Sequence, residues 1–297
     1  MITRRTAHGR RQHLKLLAAS STFGLMALPA RAGAEKPVQF RPAICAYSFR
    51  NELKSGQMTY ADVIHMAADT GADGIDFTSY WLSNTNDATL FALKTMAYRQ
   101  SVSIYSVGIR ARMAQPTPEL QAAEVASVRG WLDVAQRLGA PHVRVFGGSV
   151  PKGATEAQTL DWAGETMKRC AEDASRTGIF LGLEDDGGIT TTAEQTLAIV
   201  KKAGSPWVGV NLDIGNFEDD AYRQIEACAP RATNVHFKSH VQQDGRRQDA
   251  DWPRILGILR KAGYRGYLAI EYELNEDARK AVPQLIARVR ETIRTAA

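Results

Sequence analysis

The sequence predicts an α/β fold, a single (β/α)8 barrel, and three observations predict it. Strand-like apolar runs alternate with amphipathic helical runs from Ala43 to the end of the chain. Four successive strand-like runs end in a residue able to ligate an ion or carry a proton: Glu184, Asp213, His236 and Glu271, at intervals of 29, 23 and 35 residues. Those intervals lie near the ~31 residues per strand-helix unit that eight units in about 250 residues require. No linker, low-complexity tract or composition shift divides the chain into two domains. An open doubly wound sheet is the structural alternative, but it usually brings a Gly-rich first turn, which is missing after Phe49.

Taken in order, the first strand is expected over Ala43 to Phe49, and Thr59 at an N-cap opens a helix from Tyr60 to Asp69. A second strand follows over Gly74 to Tyr80, a polar loop over Ser83 to Asp87, a helix around Ala88 to Gln100 and a third strand over Val102 to Ile109. The helix from Pro118 to Leu138 places Val125, Val128, Leu132 and Ala135 at a 3.6-type period and stops at Gly139. His142 to Phe146 is the fourth strand, and Glu156 to Thr177 is a helix ended by Gly178. Ile179 to Glu184 is the fifth strand, Thr192 to Ala203 a helix, and Trp207 to Asp213 the sixth strand. A short helix over Asp219 to Ala229 leads to the seventh strand, Thr233 to Lys238, and then a polar loop over Val241 to Ala250. Asp251 to Ala262 is helical, Tyr267 to Tyr272 is the eighth strand and Asp277 to Arg294 the closing helix. Near-continuous apolar strands of this kind suit a parallel sheet buried on both faces.

Residues 1–34 stand apart and read as an export signal, leaving residues 35–297 as the folded domain. They hold six bases and no acid, then a modestly apolar run from Leu16 to Ala30 and a small-residue site at Ala30-Arg31-Ala32. Within them Arg10-Arg11-Gln12-His13-Leu14-Lys15 resembles the twin-arginine signature, with His13 where that pattern usually has Phe. The expected location is therefore periplasmic or secreted. The apolar run is shorter than the ~20 residues that span a bilayer, so no stable membrane insertion is expected once the signal is cleaved.

Without that leader, the 37 bases and 32 acids of the whole chain become 31 and 32. The net +5 charge thus belongs to the leader, and nothing in the overall balance supports a nucleic-acid partner. At 44% hydrophobic residues the composition is that of a globular protein with a sizeable core. Cys45, Cys170 and Cys228 are odd in number, widely spaced and set in apolar patterns, which reads as buried free thiols.

Glu, Asp, His and Glu at four strand ends make a ligand set of hard oxygens with one imidazole. Such a set suits Mn, Mg or Co, with Zn also accommodated. Four protein ligands leave two positions on a six-coordinate ion, enough for the adjacent carbonyl and hydroxyl oxygens of an α-hydroxy aldehyde or ketone. Glu184 and Glu271, from nonadjacent strands, are the candidate proton carriers: one takes the proton next to the carbonyl and the other returns it, through an enediolate. Lys238 alternates to the same face as His236 and either reaches a substrate oxygen or lies solvated at the rim. Asp185 and Asp186 are either acceptors near the substrate or loop and cap residues, and His240 is a rival ligand or substrate contact. Arg144 either meets substrate or pairs with Glu184. Tyr47, Phe77, Tyr80 and Trp81 form either an aromatic wall or core. Arg246-Arg247 reads as an exposed loop, with anion binding as the alternative.

Leu183-Glu184-Asp185-Asp186-Gly187-Gly188, Gly209-Val-Asn-Leu-Asp213-Ile-Gly-Asn216-Phe217, Val235-His236-Phe237-Lys238 and Asp251-Trp252 through Glu271-Tyr-Glu273 resemble the xylose isomerase-like barrels often labelled sugar phosphate isomerase/epimerase. The resemblance runs from about Ala43 to the end and is strongest in the last four units. It implies a divalent ion held by Glu184, Asp213, His236 and Glu271, and a small-molecule carbohydrate substrate. Many relatives have Glu-Asn-His-Gly-Gly where this chain has Glu184-Asp185-Asp186-Gly187-Gly188. Asn216 stands where sugar 3-epimerases often carry His, so Asp186 and Asn216 fall where substrate would lie.

Three functions follow as expectations. The first is a metal-dependent isomerase or epimerase of a sugar or related polyhydroxy carbonyl compound. The second is a lyase or dehydratase that uses the same groups on a keto sugar or inosose. The third is a noncatalytic carbohydrate-binding relative. An abasic-site endonuclease also uses this fold but needs a His-rich zinc cluster, and after the leader only His65, His142, His236 and His240 remain.

Overall fold

The computed structural model describes residues 40–295, and the export signal expected in residues 1–34 lies outside them. Nine helices and ten strands occur among the described residues. In chain order they are β1 (Arg41–Cys45), α1 (Arg50–Ser55), α2 (Tyr60–Thr70), β2 (Gly74–Thr78), α3 (Asp87–Arg99), β3 (Ser103–Arg112), α4 (Pro118–Leu138) and β4 (His142–Phe146). There follow α5 (Glu156–Thr177), β5 (Phe180–Glu184), α6 (Ala193–Ala203), β6 (Val208–Asp213), α7 (Ala221–Cys228) and β7 (Ala232–Phe237). The chain ends with β8 (His240–Gln243), β9 (Arg246–Asp249), α8 (Trp252–Lys261), β10 (Tyr267–Ile270) and α9 (Ala278–Thr295). Eight strands close into a parallel barrel in the order β1-β10-β7-β6-β5-β4-β3-β2, while β8 and β9 form a separate antiparallel hairpin. The expected (β/α)8 TIM barrel is the fold observed.

Strand alternation sorts each side chain to one of two places. Ile44, Ile75, Val107, Val143, Leu181, Val210, Val235 and Leu268 join the main core with the helices, whereas Ala43, Cys45, Tyr105 and Ala269 form a small separate cluster with Tyr47 and Tyr267. The helices start where their caps predict. Thr59 with Asp62, Thr155 with Gln158 and Thr192 with Gln195 form reciprocal capping boxes at the heads of α2, α5 and α6. No helix among the described residues is long and apolar enough to cross a membrane.

Four differences from the expected elements bear on the site. β1 stops at Cys45, and Ala46–Phe49 turns into a 3-10 segment. There Ser48 Oγ donates to the Ile270 carbonyl and accepts from the Tyr272 N–H, which ties the segment to the end of β10. Ser79–Trp81 likewise leaves β2 as a 3-10 turn. β3 runs three residues past Ile109 to Arg112, because Arg112 pairs with Phe146 and the Met113 N–H bonds the Phe146 carbonyl. Finally, part of the expected polar loop after β7 is the β8–β9 hairpin, turned at Asp244 and Gly245 with φ of 56° and 67°. Its base is joined by the Ala250 N–H to the Ser239 carbonyl, and its tip by the Gly245 N–H to Asp219 Oδ1 at 3.1 Å.

Candidate functional site

At the carboxyl ends of the strands, Glu184, Asp213, His236 and Glu271 converge, each offering one ligand atom within 4.8 Å of the others. Register explains the meeting: Asp213 on β6 is the direct partner of His236 on β7, and His236 pairs with Ala269, two residues before Glu271. All four are buried, with exposures of 4%, 0%, 0% and 8%. His236 Nδ1 stands 2.7 Å from Glu184 Oε1, 3.4 Å from Glu271 Oε2 and 3.7 Å from Asp213 Oδ2.

The other ring nitrogen fixes which way the imidazole faces. His236 Nε2 lies 2.9 Å from Asp76 Oδ2, and Asn234 Nδ2 donates to the same oxygen at 2.8 Å. Burial alone would raise the Asp76 carboxyl, but the hydrogen bond and charge of His236, with the charges of Arg144 and His142, together outweigh it and hold Asp76 below its usual range. An ionised Asp76 takes the Nε2 proton as acceptor, so Nδ1 is the nitrogen left for the cluster. Burial pushes the His236 ring down, yet the charges of Glu271 and Glu184 dominate and hold it well above its ordinary value.

Two more cations neutralise the carboxylates. Arg144 Nε is 3.2 Å from Glu184 Oε2, with Arg144 3% exposed, while Asn211 Nδ2 donates to Glu184 Oε1 at 3.1 Å. Lys238 Nζ is 3.1 Å from Asp213 Oδ2, 3.5 Å from Glu271 Oε2, and in hydrogen-bonded contact with Glu273. Its burial is overcome by these acids, which raise it well above the usual lysine value. Glu271 would be raised by burial, but His236 and Lys238 hold it well below the usual carboxylate range. Asp213 is pushed up to about 6 by burial, against the pull of Lys238 and His236. Asp185 is raised well above its ordinary value by burial and then by Asp213, and its Oδ1 accepts the Asp213 N–H at 2.8 Å.

The residues fit a cation on an observation of their own. Asp213 Oδ2 and His236 Nδ1 are buried and lack a hydrogen-bond partner, although Lys238 Nζ stands near the former. A buried acceptor and a buried imidazole nitrogen facing three carboxylates form a donor set that a divalent ion satisfies. Cys45, Asp76 and His236 make a second close group, but Asp76 is already engaged by Nε2 and Asn234.

Above the cluster opens a cavity of about 760 Å³ lined by Glu184, Glu271, Asp186, Asn216 and Lys238 among others. Asn216 Oδ1 accepts from Lys238 Nζ at 2.8 Å. Lys238 is thus neither a rim lysine nor free, but a buried counterion. Asp186 is exposed in the cavity, and desolvation followed by the charge of Glu184 pushes it up to about 6. His240 is placed elsewhere: it opens β8, lies 3.1 Å from Arg247 Nη2 through Nδ1, and is pushed down to about 4 by burial and Arg247. It is absent from the lining, as are Arg246 and Arg247, which lie exposed on β9. The aromatic residues divide. Tyr47, Tyr80 and Trp81 line the cavity, with Tyr47 stacked on Trp81 at 6.0 Å, whereas Phe77 is core against Tyr60. All three cysteines are buried and free.

Residues 64–292 match the family described as the xylose isomerase-like TIM barrel. The chain belongs to that family. No curated protein matches the sequence. Among solved structures, an L-ribulose 3-epimerase superposes with a TM-score of 0.70 at 18% identity, over 87% of this chain and 96% of that chain. A xylose isomerase-like TIM barrel protein from Mycobacterium smegmatis in complex with magnesium gives 0.69 at 17%, over 88% and 99%. A probable 3-DHS dehydratase from Bacillus anthracis gives 0.63 at 14%, over 86% and 99%. At these identities the likeness is one of fold.

Asp76 and Asn211 escaped the sequence reading, since a lone acid or amide inside an apolar strand signals nothing until its partner across the barrel is known. Arg110 and Arg112 escaped because β3 was expected to end at Ile109, although Ile109, Ala111 and Met113 alternate with them as a strand demands. Removing Arg144 by Arg144→Met leaves Glu184 without its buried guanidinium. Urea unfolding is expected to show a loss of about 3–5 kcal/mol, the usual cost of breaking a buried pair, and a loss under about 1 kcal/mol would show that the pair is not needed.

Proposed function

We propose that the chain is a divalent-metal-dependent isomerase or epimerase of a sugar or related polyhydroxy carbonyl compound. The observation that carries this reading is the convergence of Glu184, Asp213, His236 and Glu271 beneath a carbohydrate-sized cavity. Similarity to a magnesium-bound barrel and to a sugar epimerase supports it. In this reading those four residues hold the ion, with Mn, Mg or Co favoured by the oxygen-rich set and Zn also accommodated. When bound, the ion supplies Lewis-acid stabilisation of the negative charge that develops on the substrate's carbonyl and hydroxyl oxygens.

The chain's own groups do the rest. Glu271, held ionised by His236 and Lys238, accepts the proton α to the carbonyl and later releases it to solvent, while Glu184, oriented by Arg144 and Asn211, takes a proton from solvent in the cavity and delivers it from its own side. Return to the same carbon from the opposite face is epimerisation, and return to the neighbouring carbon is isomerisation. Lys238 and Asn216, joined to each other at the cavity wall, hold a substrate oxygen in place, and Tyr47 with Trp81 gives the ring a flat apolar surface. One observation favours the lyase reading as runner-up. Asp186, with its carboxyl near 6 in the cavity, can protonate a departing oxygen.

Purified protein loaded with Mg, Mn or Co and incubated with a panel of α-hydroxy ketones and keto sugars in D2O is expected to place deuterium at the α-carbon, read by NMR. Glu184→Gln and Glu271→Gln each lower that exchange by about 10²–10⁴-fold. Exchange without loss of a leaving group identifies an isomerase or epimerase, elimination identifies a lyase, and no exchange on any member of the panel overturns both.

Metal affinity should fall on acidification, because a proton must leave Asp213 and His236 Nδ1 before either can ligate. With the His236 ring held well above its ordinary value and Asp213 pushed up to about 6, affinity measured by calorimetry is expected to fall already from pH 8 to about 7 and more steeply through about 6. A flat profile over that range would falsify the ligand assignment.

The leader carries a separate proposal, export of the folded chain to the periplasm or the medium. A reporter fused to residues 1–34 should leave the cytoplasm, and replacing Arg10 and Arg11 with Lys should retain it. Unchanged export of that variant counts against a twin-arginine route.

A further inference from the structure

The cavity has a second charged wall that the metal cluster does not use. Beyond Ser106, the inner-face positions of β3 are Gly108, Arg110 and Arg112, with Ile109, Ala111 and Met113 buried on the opposite side. Arg110 and Arg112 both line the cavity and are exposed to it. The Arg110 guanidinium sits 4.2 Å from the centre of the Tyr80 ring, and the Tyr80 hydroxyl accepts from Arg144 Nη1 at 2.9 Å. Arg144 in turn pairs with Glu184, so the order of contacts along the wall is Glu184, Arg144, Tyr80, Arg110.

Unlike Arg144 and Lys238, neither Arg110 nor Arg112 forms an ion pair among the described residues. Glu124 is the acid beside Arg112, but its carboxylate is engaged by the Arg112 backbone N–H and by Gln115 Nε2. The whole lining carries six Lys or Arg against four Asp or Glu. A bound divalent ion would add to that excess, so the mouth attracts anions. Two guanidinium forks on alternate residues of one strand match the planar, bidentate geometry of carboxylate or phosphate oxygens. A stack on Tyr80 restrains one of them before any ligand arrives.

We propose that Arg110 and Arg112 form an anion-binding subsite, and that the substrate is therefore an acidic sugar derivative whose carboxylate or phosphate is held there while its carbonyl end faces Glu184 and Glu271. This rests on the placement of the reacting end given under the proposed function. A neutral sugar leaves both arginines unused.

The test is calorimetric titration of the full, magnesium-loaded chain with D-glucuronate, D-glucose 6-phosphate and D-glucose, which differ at carbon 6, in low salt and again at about 0.3 M salt. At least one acid should bind about tenfold or more tighter than glucose, with the advantage shrinking at high salt. Preference for glucuronate points to a carboxylate and preference for the phosphate ester to a phosphate. Arg110→Gln combined with Arg112→Gln should reduce the preference below about twofold, with thermal melting and magnesium stoichiometry unchanged. Acids that bind no tighter than glucose, no binding by any of the three, or a preference that survives the double substitution overturns the subsite. Deuterium exchange is scored independently. An arginine-dependent preference without exchange leaves the subsite and removes the isomerase reading, and exchange without the preference does the reverse.

Discussion

Three carboxylates enclosed in one small cluster must be matched by positive charge, and that requirement organises the whole mouth of the barrel. Arg144 answers Glu184, Lys238 answers Asp213, Glu271 and Glu273, and His236 faces all three cluster acids at once. The backbone makes room for these long side chains. A Cβ on Gly108 would lie 2.7 Å from Arg144 Nη2, and one on Gly215 would lie 2.7 Å from Lys238 Cδ. Small residues on β3 and after β6 are thus part of the electrostatics, because any side chain there would displace a counterion.

Below the cluster the barrel interior is polar but satisfied. Asn234 bridges Asp76 and Asn211 with its amide donors at 2.8 Å each, and accepts from the Tyr105 hydroxyl at 3.1 Å. Asn211 continues upward to Glu184. A connected network of this kind holds the cluster residues in one arrangement, since turning any member strands a buried donor or acceptor. Asn211 and Asn234, two residues before Asp213 on β6 and before His236 on β7, thus steady Glu184 on the neighbouring strand and the Asp76 that holds His236, a link that runs along the strands as well as across them.

Much of the fold was legible because its signals are local. Apolar runs, Thr caps and Gly stops lie next to the elements they delimit, and α4, β4 and α5 have the bounds read from the chain. The four converging residues were legible too, since each lies at or within one residue of a strand's end and a parallel barrel brings strand ends together. What escaped depends on distant partners. Tyr47 to Phe49 has the aromatic character of a strand, but Ser48 is drawn to Ile270 and Tyr272, more than two hundred residues away. The hairpin is a different case. Asp244-Gly245 is a local hairpin signal, hidden by the polar composition of both arms, and the side-chain contact of His240 with Arg247 belongs to that hairpin rather than to the cavity.

That hairpin also joins two loops that the barrel would otherwise keep independent. Its tip is fastened through Gly245 to Asp219, in the segment that follows the Asp213 strand, while its base springs from the end of the strand that carries His236. The connections after neighbouring barrel strands are therefore laced into one continuous parapet on that side of the entrance. A change of length in either connection would shift both, so inherited variation in the shape of the entrance there should come as coordinated changes in the two segments.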